Sequence, residues 1–233
     1  IGILARMESA GRLLPEGTRL VHIGPAKTGT TTLQGAFHGG RDAMSAQGVH
    51  YAGRTRQPIM AVLSVLGFTS PTTGEVPSIQ KWQSLVGEIE QAGTQRVILS
   101  SERLARSPTQ TIRTIVNDLG PEQVHIAVTL RPLAKIIPSQ WQQSVQAGKD
   151  VSFDDYLDAI FNDPDGQHGR AFWSRHRHDQ LIARWAEVVG PQNVTVVVVD
   201  DRDHDMVLRI FEQLLGLRDG TLVADGDRTN RSM

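Results

Sequence analysis

Between Arg19 and Gln34 the chain reads RLVHIGPAKTGTTTLQ, an apolar run followed by Gly24, Lys27, Gly29 and three consecutive threonines. These residue types suit an anion. Gly24 and Gly29 let backbone N–H groups converge at close range, Lys27 brings charge, and Thr28, Thr30, Thr31 and Thr32 bring hydroxyls. A helix starting at Thr30 would add the partial positive charge of its N-terminus. The common triphosphate loop is G-x-x-x-x-G-K-[ST]. Here the glycine spacing matches, but Thr30 follows the second glycine and the lysine comes before it. A tight turn with a hydroxyl-capped helix is the plain alternative.

The loop needs a strand before it and a helix after it, and the rest of the chain repeats that alternation. Residues 20–23, 96–99, 124–130 and 194–199 read as strands, with apolar residues on both faces as in a buried parallel sheet. Segments 30 to about 47 (weakened by Gly39 and Gly40), 82–92, 109–119, 133–147 and 181–189 read as helices. Met206, Val207, Ile210, Phe211, Leu214 and Leu215 recur at helical spacing and give a last amphipathic helix. The expected fold is α/β: three layers, α/β/α, around a central mainly parallel sheet, like the P-loop nucleotide hydrolases. Ligands in such sheets sit beyond the carboxyl ends of the strands. The 233 residues are read as one domain, with 1–17 as an N-terminal extension and 52–78 as an excursion over the surface.

Composition narrows the classes. Lysine and arginine total 24 against 25 acidic residues, so no global basic field recruits nucleic acid or membrane. With no cysteine, thiolate nucleophiles and cysteine-ligated metals are excluded. No run approaches the length of a membrane span, and the first seventeen residues are too broken by charge and glycine for a secretory signal. A cytoplasmic protein is expected. The start at Ile1 rather than a methionine implies a trimmed chain.

The segment PAKTGTTTLQ resembles the 5′-phosphosulfate loop of sulfotransferases that use 3′-phosphoadenosine 5′-phosphosulfate (PAPS), in which the lysine precedes the glycine. Ala26 lies between Pro25 and Lys27, as in many bacterial and carbohydrate-type members. The resemblance implies that Lys27, Thr28, Gly29, Thr30, Thr31 and Thr32 bind the donor, with Lys27 catalytic. It also implies a second anion site for the 3′-phosphate, formed by a strand-end arginine and a serine eight residues later. Arg131 and Ser139 have that spacing. A bidentate arginine and a serine two helical turns on can serve one phosphate. In carbohydrate-type members a strand-end glutamate takes the acceptor proton, which points to Glu102. The competing reading of Glu102 is a partner for the dipole of a helix capped by Ser100 or Ser101. His22, His50 and His168 are alternative bases. SQWQQSVQAG, LIARWAEVVGPQNVTVVVVDD and DRTNRSM extend the likeness thinly to the end of the chain, where Arg228 and Arg231 are candidate nucleotide contacts in a C-terminal loop expected to be incomplete.

The implied activity is transfer of a sulfuryl group from PAPS to a hydroxyl on a carbohydrate, glycolipid or small metabolite. The implied product is adenosine 3′,5′-bisphosphate, with no metal required and no nucleic-acid partner. The rivals are a nucleoside-triphosphate kinase and a non-catalytic nucleotide- or carbohydrate-binding module. Other signals are weaker. In RHRHDQ, His176 and His178 would not share a helix face, which disfavours a metal pair. Asp201, Asp203, Asp205 and Glu212 mimic a calcium loop, but Met206 stands where that loop needs glycine, so the aspartates read as a helix start. Trp173, beside Phe172, is expected in a loop where it could stack on a ring.

Overall fold

The structure is a computed structural model that describes residues 13–25 and 28–224. Lys27, Arg228 and Arg231 lie outside the described residues. Among the described residues five strands form one sheet: β1 (Arg19–His22), β2 (Val49–Tyr51), β3 (Arg96–Ser100), β4 (Val124–Leu130) and β5 (Val194–Val198). Their order is β2-β3-β1-β4-β5, and every pairing is parallel. The α/β expectation is met, with a sheet wholly rather than mainly parallel among the described residues.

The helices are α1 (Thr30–Gly39), α2 (Arg41–Ser45), α3 (Ile59–Leu66), α4 (Gln80–Gln91), α5 (Thr109–Asp118), α6 (Leu133–Gln146), α7 (Phe153–Phe161), α8 (Gln167–His176), α9 (His178–Val189) and α10 (Met206–Leu215). Strand residues alternate between two covered faces. Val21, Val97, Leu99, Ile126 and Val128 pack with α3, α4, α5 and α9. Leu20, Ile98 and Ala127 pack with α1, α2 and α10. A smaller cluster, Ile136, Ile137, Tyr156, Ile160 and Phe172, joins α6, α7 and α8.

Several expectations need correction. The helix after the loop is interrupted at Gly40, which separates α1 from α2. The 52–78 segment is not only a surface excursion: α3 lies within it and sends Ala61, Val62 and Leu66 into the core. Pro58 before α3 and Gly67 after it, at φ 66°, are ordinary helix punctuation around an apolar run. His50 sits in the short edge strand β2, where its Nε2 meets Glu88 Oε1 at 2.8 Å. Phe172 and Trp173 are helical, in α8. The valine run at 194–199 forms an edge strand, with Val196 and Val198 exposed. The aspartates before Met206 precede α10, as expected.

Candidate functional site

Strand order decides where a ligand can sit. From β1 the chain crosses over β3 to reach β2, whereas β4 connects outward to β5 on the other side. The crevice of this fold therefore opens beyond the carboxyl ends of β1 and β4. Register aligns His22 with Ser100 on β3 and with Ala127 on β4. The loop after β1, Glu102 after β3 and Arg131 after β4 thus come from three adjacent strand ends.

Two glycines shape the loop. Gly29 stands before α1 at φ 80°, a conformation that side chains other than asparagine and aspartate rarely adopt. Gly24 is required for space: a Cβ there would lie 2.1 Å from Thr129 Oγ1, 2.7 Å from Thr30 Oγ1 and 2.8 Å from Thr28 Oγ1. Three hydroxyls close over this one backbone position. Thr28 and Thr30 are buried, and their side chains serve the loop itself. Thr28 Oγ1 donates to Pro25 O at 2.7 Å, and Thr30 Oγ1 donates to Gly24 O at 3.4 Å. Thr31 and Thr32 are exposed at the N-terminal turn of α1, where the first backbone N–H groups of a helix have no partner within it.

Beneath the loop runs a buried polar chain whose directions can be assigned. Thr28 has one hydroxyl proton and gives it to a carbonyl, so the contact between Thr28 Oγ1 and Thr129 Oγ1, at 3.1 Å, requires Thr129 to donate. Thr129 must then accept from His22 Nε2, 3.0 Å away. His22 Nδ1 in turn accepts from Ser100 Oγ at 2.8 Å, and Ser100 accepts from Gln34 Nε2 at 3.1 Å. Gln34 Oε1 accepts from Gln57. Every bond has one donor, and His22 is fixed as the neutral Nε2–H tautomer. Burial also disfavours the imidazolium, holding the His22 pKa down to about 3. The ring packs edge-on against Phe211 at 5.1 Å. His22 therefore serves this chain from inside the sheet.

Arg131 begins the turn from β4 into α6. Its guanidinium is held in bidentate fashion by Asp201, Nε to Oδ1 at 3.1 Å and Nη2 to Oδ2 at 2.8 Å. Asp201 comes from the loop after β5. Ser139 lies in α6 and is 7 % exposed.

Glu102 opens a 3₁₀ turn, Glu102–Arg106, and makes no hydrogen bond or ion pair to the described residues. Ser101 precedes this turn, but its buried hydroxyl has no partner among the described residues and does not cap it. Glu102 lines a cleft of ≈ 240 Å³ that also touches Pro25 of the loop. Opposite it stand residues of α8 and α9, including Trp173, whose Nε1 donates to Ile160 O at 2.8 Å. His168 lies in α8 and does not line this cleft among the described residues.

Two features escape sequence reasoning. Arg56 donates from Nη2 to Thr31 O at 2.7 Å, tying the 52–78 segment to the first turn of α1, and its buried Nε has no partner among the described residues. An arginine between a strand and a helix carries no signal of that contact. The second is the cluster of arginines around the cleft. They are dispersed in sequence over 103–106 and 175–184, and only the docking of α8 and α9 gathers them.

No protein-family model matches the chain, and no curated protein does. Among solved structures, the sulfotransferase from Alicyclobacillus acidocaldarius aligns over 89% of this chain and 84% of that one, at 17% identity and a TM-score of 0.56. The sulfotransferase domain of the Synechococcus PCC 7002 olefin synthase aligns over 97% and 83%, at 14% identity and a TM-score of 0.47. The first of these likenesses, read with the sheet order above, shows that this chain has the fold of the Alicyclobacillus sulfotransferase.

Proposed function

We propose that the protein is a PAPS-dependent sulfotransferase acting on an acceptor hydroxyl, on a carbohydrate, glycolipid or small metabolite. The observation that carries the reading is the convergence of the glycine–threonine loop, Arg131 and Glu102 at three adjacent strand ends. In this reading Lys27, Gly29 and the first turn of α1 hold the 5′-phosphosulfate. The outward hydroxyls of Thr31 and Thr32 bond its oxygens, while Thr28 and Thr30 contribute main chain and hold the loop's shape. Arg131 takes the 3′-phosphate in place of Asp201, with Ser139 on the following helix as its companion.

Chemistry then follows from placement. The acceptor oxygen attacks sulfur and forms a new S–O bond. The bond from sulfur to the bridging phosphate oxygen breaks, and its electron pair leaves with adenosine 3′,5′-bisphosphate. Glu102 receives the hydroxyl proton, and Lys27 offsets charge developing on the bridging oxygen. Such loose in-line transfers depend mainly on positioning and charge stabilisation.

The test is ligand choice followed by turnover. Adenosine 3′,5′-bisphosphate at about 100 times its dissociation constant should stabilise the fold by ~2.7 kcal/mol in a thermal-shift measurement. ATP with Mg²⁺ should not. Labelled sulfate transfer from PAPS should then be measurable and vanish in Lys27→Ala. A shift with ATP and Mg²⁺ alone supports a kinase instead. Bisphosphate binding without transfer to any hydroxyl acceptor supports a binding module.

A further inference from the structure

The cleft beside Glu102 is lined by five arginines: Arg103 and Arg106 from the 3₁₀ turn, Arg175 from α8, Arg177 from the junction to α9, and Arg184 from α9. Glu102 is its one carboxylate among the described lining residues. The chain as a whole has a net charge of -1, so this is a local concentration of one sign and not a sample of the average surface. Structural arginines are ordinarily neutralised by a neighbour. Here Arg177 pairs with Asp179, and the other four have no carboxylate partner among the described residues. Arg184 reaches Ala105 O through Nη2 at 3.3 Å, yet its buried Nε has no acceptor among the described residues. Arg106 lies over the Phe68 ring at 5.8 Å, a contact that leaves its N–H groups free for other bonds.

Arg106 and Arg175 are exposed and Arg103 and Arg184 half-buried, so four guanidinium groups without a carboxylate partner concentrate positive potential at the mouth of one cleft and favour an anion there. The planar fork of arginine suits carboxylate, sulfate and phosphate oxygens. Trp173 adds a flat apolar wall. At ≈ 240 Å³ the cleft is smaller than the ~300–1,000 Å³ of sites for drug-sized ligands, so it suits one ring-sized unit and its substituents.

We infer that this cleft binds a polyanion, and that the acceptor is a hydroxyl compound carrying several carboxylate, sulfate or phosphate groups, with a carboxylated saccharide as the fitting type. The cleft's anion affinity stands on the arginines alone; calling its occupant the acceptor rests on the sulfuryl-transfer reading. Arg103, Arg106, Arg175 and Arg184 grip the anionic groups and turn a hydroxyl toward Glu102.

The experiment uses tetragalacturonate and its fully methyl-esterified form, which share a backbone and differ in charge. Binding to the whole chain is followed by calorimetry at about 50 and about 200 mM NaCl, where screening differs. The acid form should bind, and weaken with salt. The ester and the Arg103→Gln/Arg175→Gln double variant should each bind at least about tenfold more weakly. Arg113→Gln, outside the cleft on α5, should leave binding unchanged, and saturating adenosine 3′,5′-bisphosphate should not displace the saccharide. No binding of the acid form, equal binding of acid and ester, or wild-type binding by the double variant overturns the inference. Displacement by the bisphosphate overturns the acceptor assignment, because the arginines would then belong to the donor site. If the bisphosphate fails to bind while the acid saccharide still needs Arg103 and Arg175, the sulfuryl-transfer reading fails and the anion site stands.

Discussion

Replacing Thr129 by valine tests the polar chain under the loop with almost no change in shape. The Thr129 hydroxyl accepts from His22 Nε2 at 3.0 Å and donates to Thr28 Oγ1 at 3.1 Å, and the residue is 0 % exposed. Valine removes both bonds. Thr28 keeps its bond to Pro25 O, and Thr30, 3.3 Å away, can turn its one hydroxyl proton from Gly24 O toward it. His22 has no such recourse. As the Nε2–H tautomer it is left with a buried donor facing a methyl group. As the other tautomer it must donate to Ser100, whose own proton then has nowhere to go. Stranding one buried polar group costs ~1–3 kcal/mol, so Thr129→Val should lower unfolding stability by about 2 kcal/mol. Thr129→Ser keeps the hydroxyl and should cost less than valine, losing only a methyl group.

Urea unfolding near neutral pH measures this, with the denaturant slope checked for constancy so that midpoints report stability. A double-mutant cycle with His22→Phe isolates the pair. Phenylalanine keeps a ring against Phe211 and has no nitrogen to strand, so Thr129→Val should cost less in that background by roughly 1–2 kcal/mol. If Thr129→Val matches wild type, or if serine costs as much as valine, the assigned donor directions are wrong.

Three other outcomes are expected. Glu102→Gln should keep the affinity for adenosine 3′,5′-bisphosphate and lose about 10²–10⁴-fold in sulfate transfer; near-normal turnover would move the base elsewhere. Asp201→Asn frees Arg131 and should tighten bisphosphate binding by up to about tenfold, ~1.4 kcal/mol, a ceiling because the paired side chains are 25% and 34% exposed; weaker binding by calorimetry would mean that Asp201 supports the site. Burial lowers the pKa of His22 to about 3 and those of His125 and His176 to about 4, all from an ordinary 6.5. Below pH 6.5 the unfolded chain therefore binds more protons than the folded one. Stability should hold above that pH and fall as pH drops toward 4, by roughly 2 kcal/mol per histidine at pH 5; urea midpoints that do not move between pH 7.5 and 5 would contradict the burial of these rings as neutral groups.

The frame of the molecule was legible because its signals are local. A β-branched strand, a glycine pair and an amphipathic repeat are each visible within a dozen residues, and they place β1, β3, β4, β5 and α10 closely. The misses have physical causes too. β2 is three residues long, too short for a periodic signal. α7 was announced by Ser152, which accepts from Asp155 N at 3.1 Å, but charged residues at its start obscured a helix whose buried residues are Tyr156 and Ile160. α3 was hidden among the proline and glycine residues that bound it. At the site, sequence spacing could nominate Arg131 and Glu102 but could not foresee Asp201, 70 residues away, on the arginine. Nor could it tell apart four threonines of identical chemistry. Only burial separates Thr28 and Thr30, turned inward, from Thr31 and Thr32, turned out.

That separation explains why the loop has so many hydroxyls. A loop that offers its groups to a ligand needs a floor that keeps it from collapsing, and here the floor is made of the same residue type. Thr28 belongs to the loop after β1, while Thr129 belongs to β4, two residues before Arg131. Their hydrogen bond therefore joins the two halves of the proposed donor site directly. On the other side, Ser100 ties His22 to β3, two residues before Glu102, which begins the next turn. In the proposed reading, one chain of hydrogen bonds thus sets the spacing between the 5′-phosphosulfate site, the 3′-phosphate site and the base. Each link depends on the donor direction of the one before it, so a break at Thr129 should be felt at both anion sites. Bisphosphate affinity should fall in Thr129→Val even though Thr129 is buried beneath the loop. A variant destabilised as expected but binding the bisphosphate as tightly as wild type would show that the chain supports the fold without setting the site.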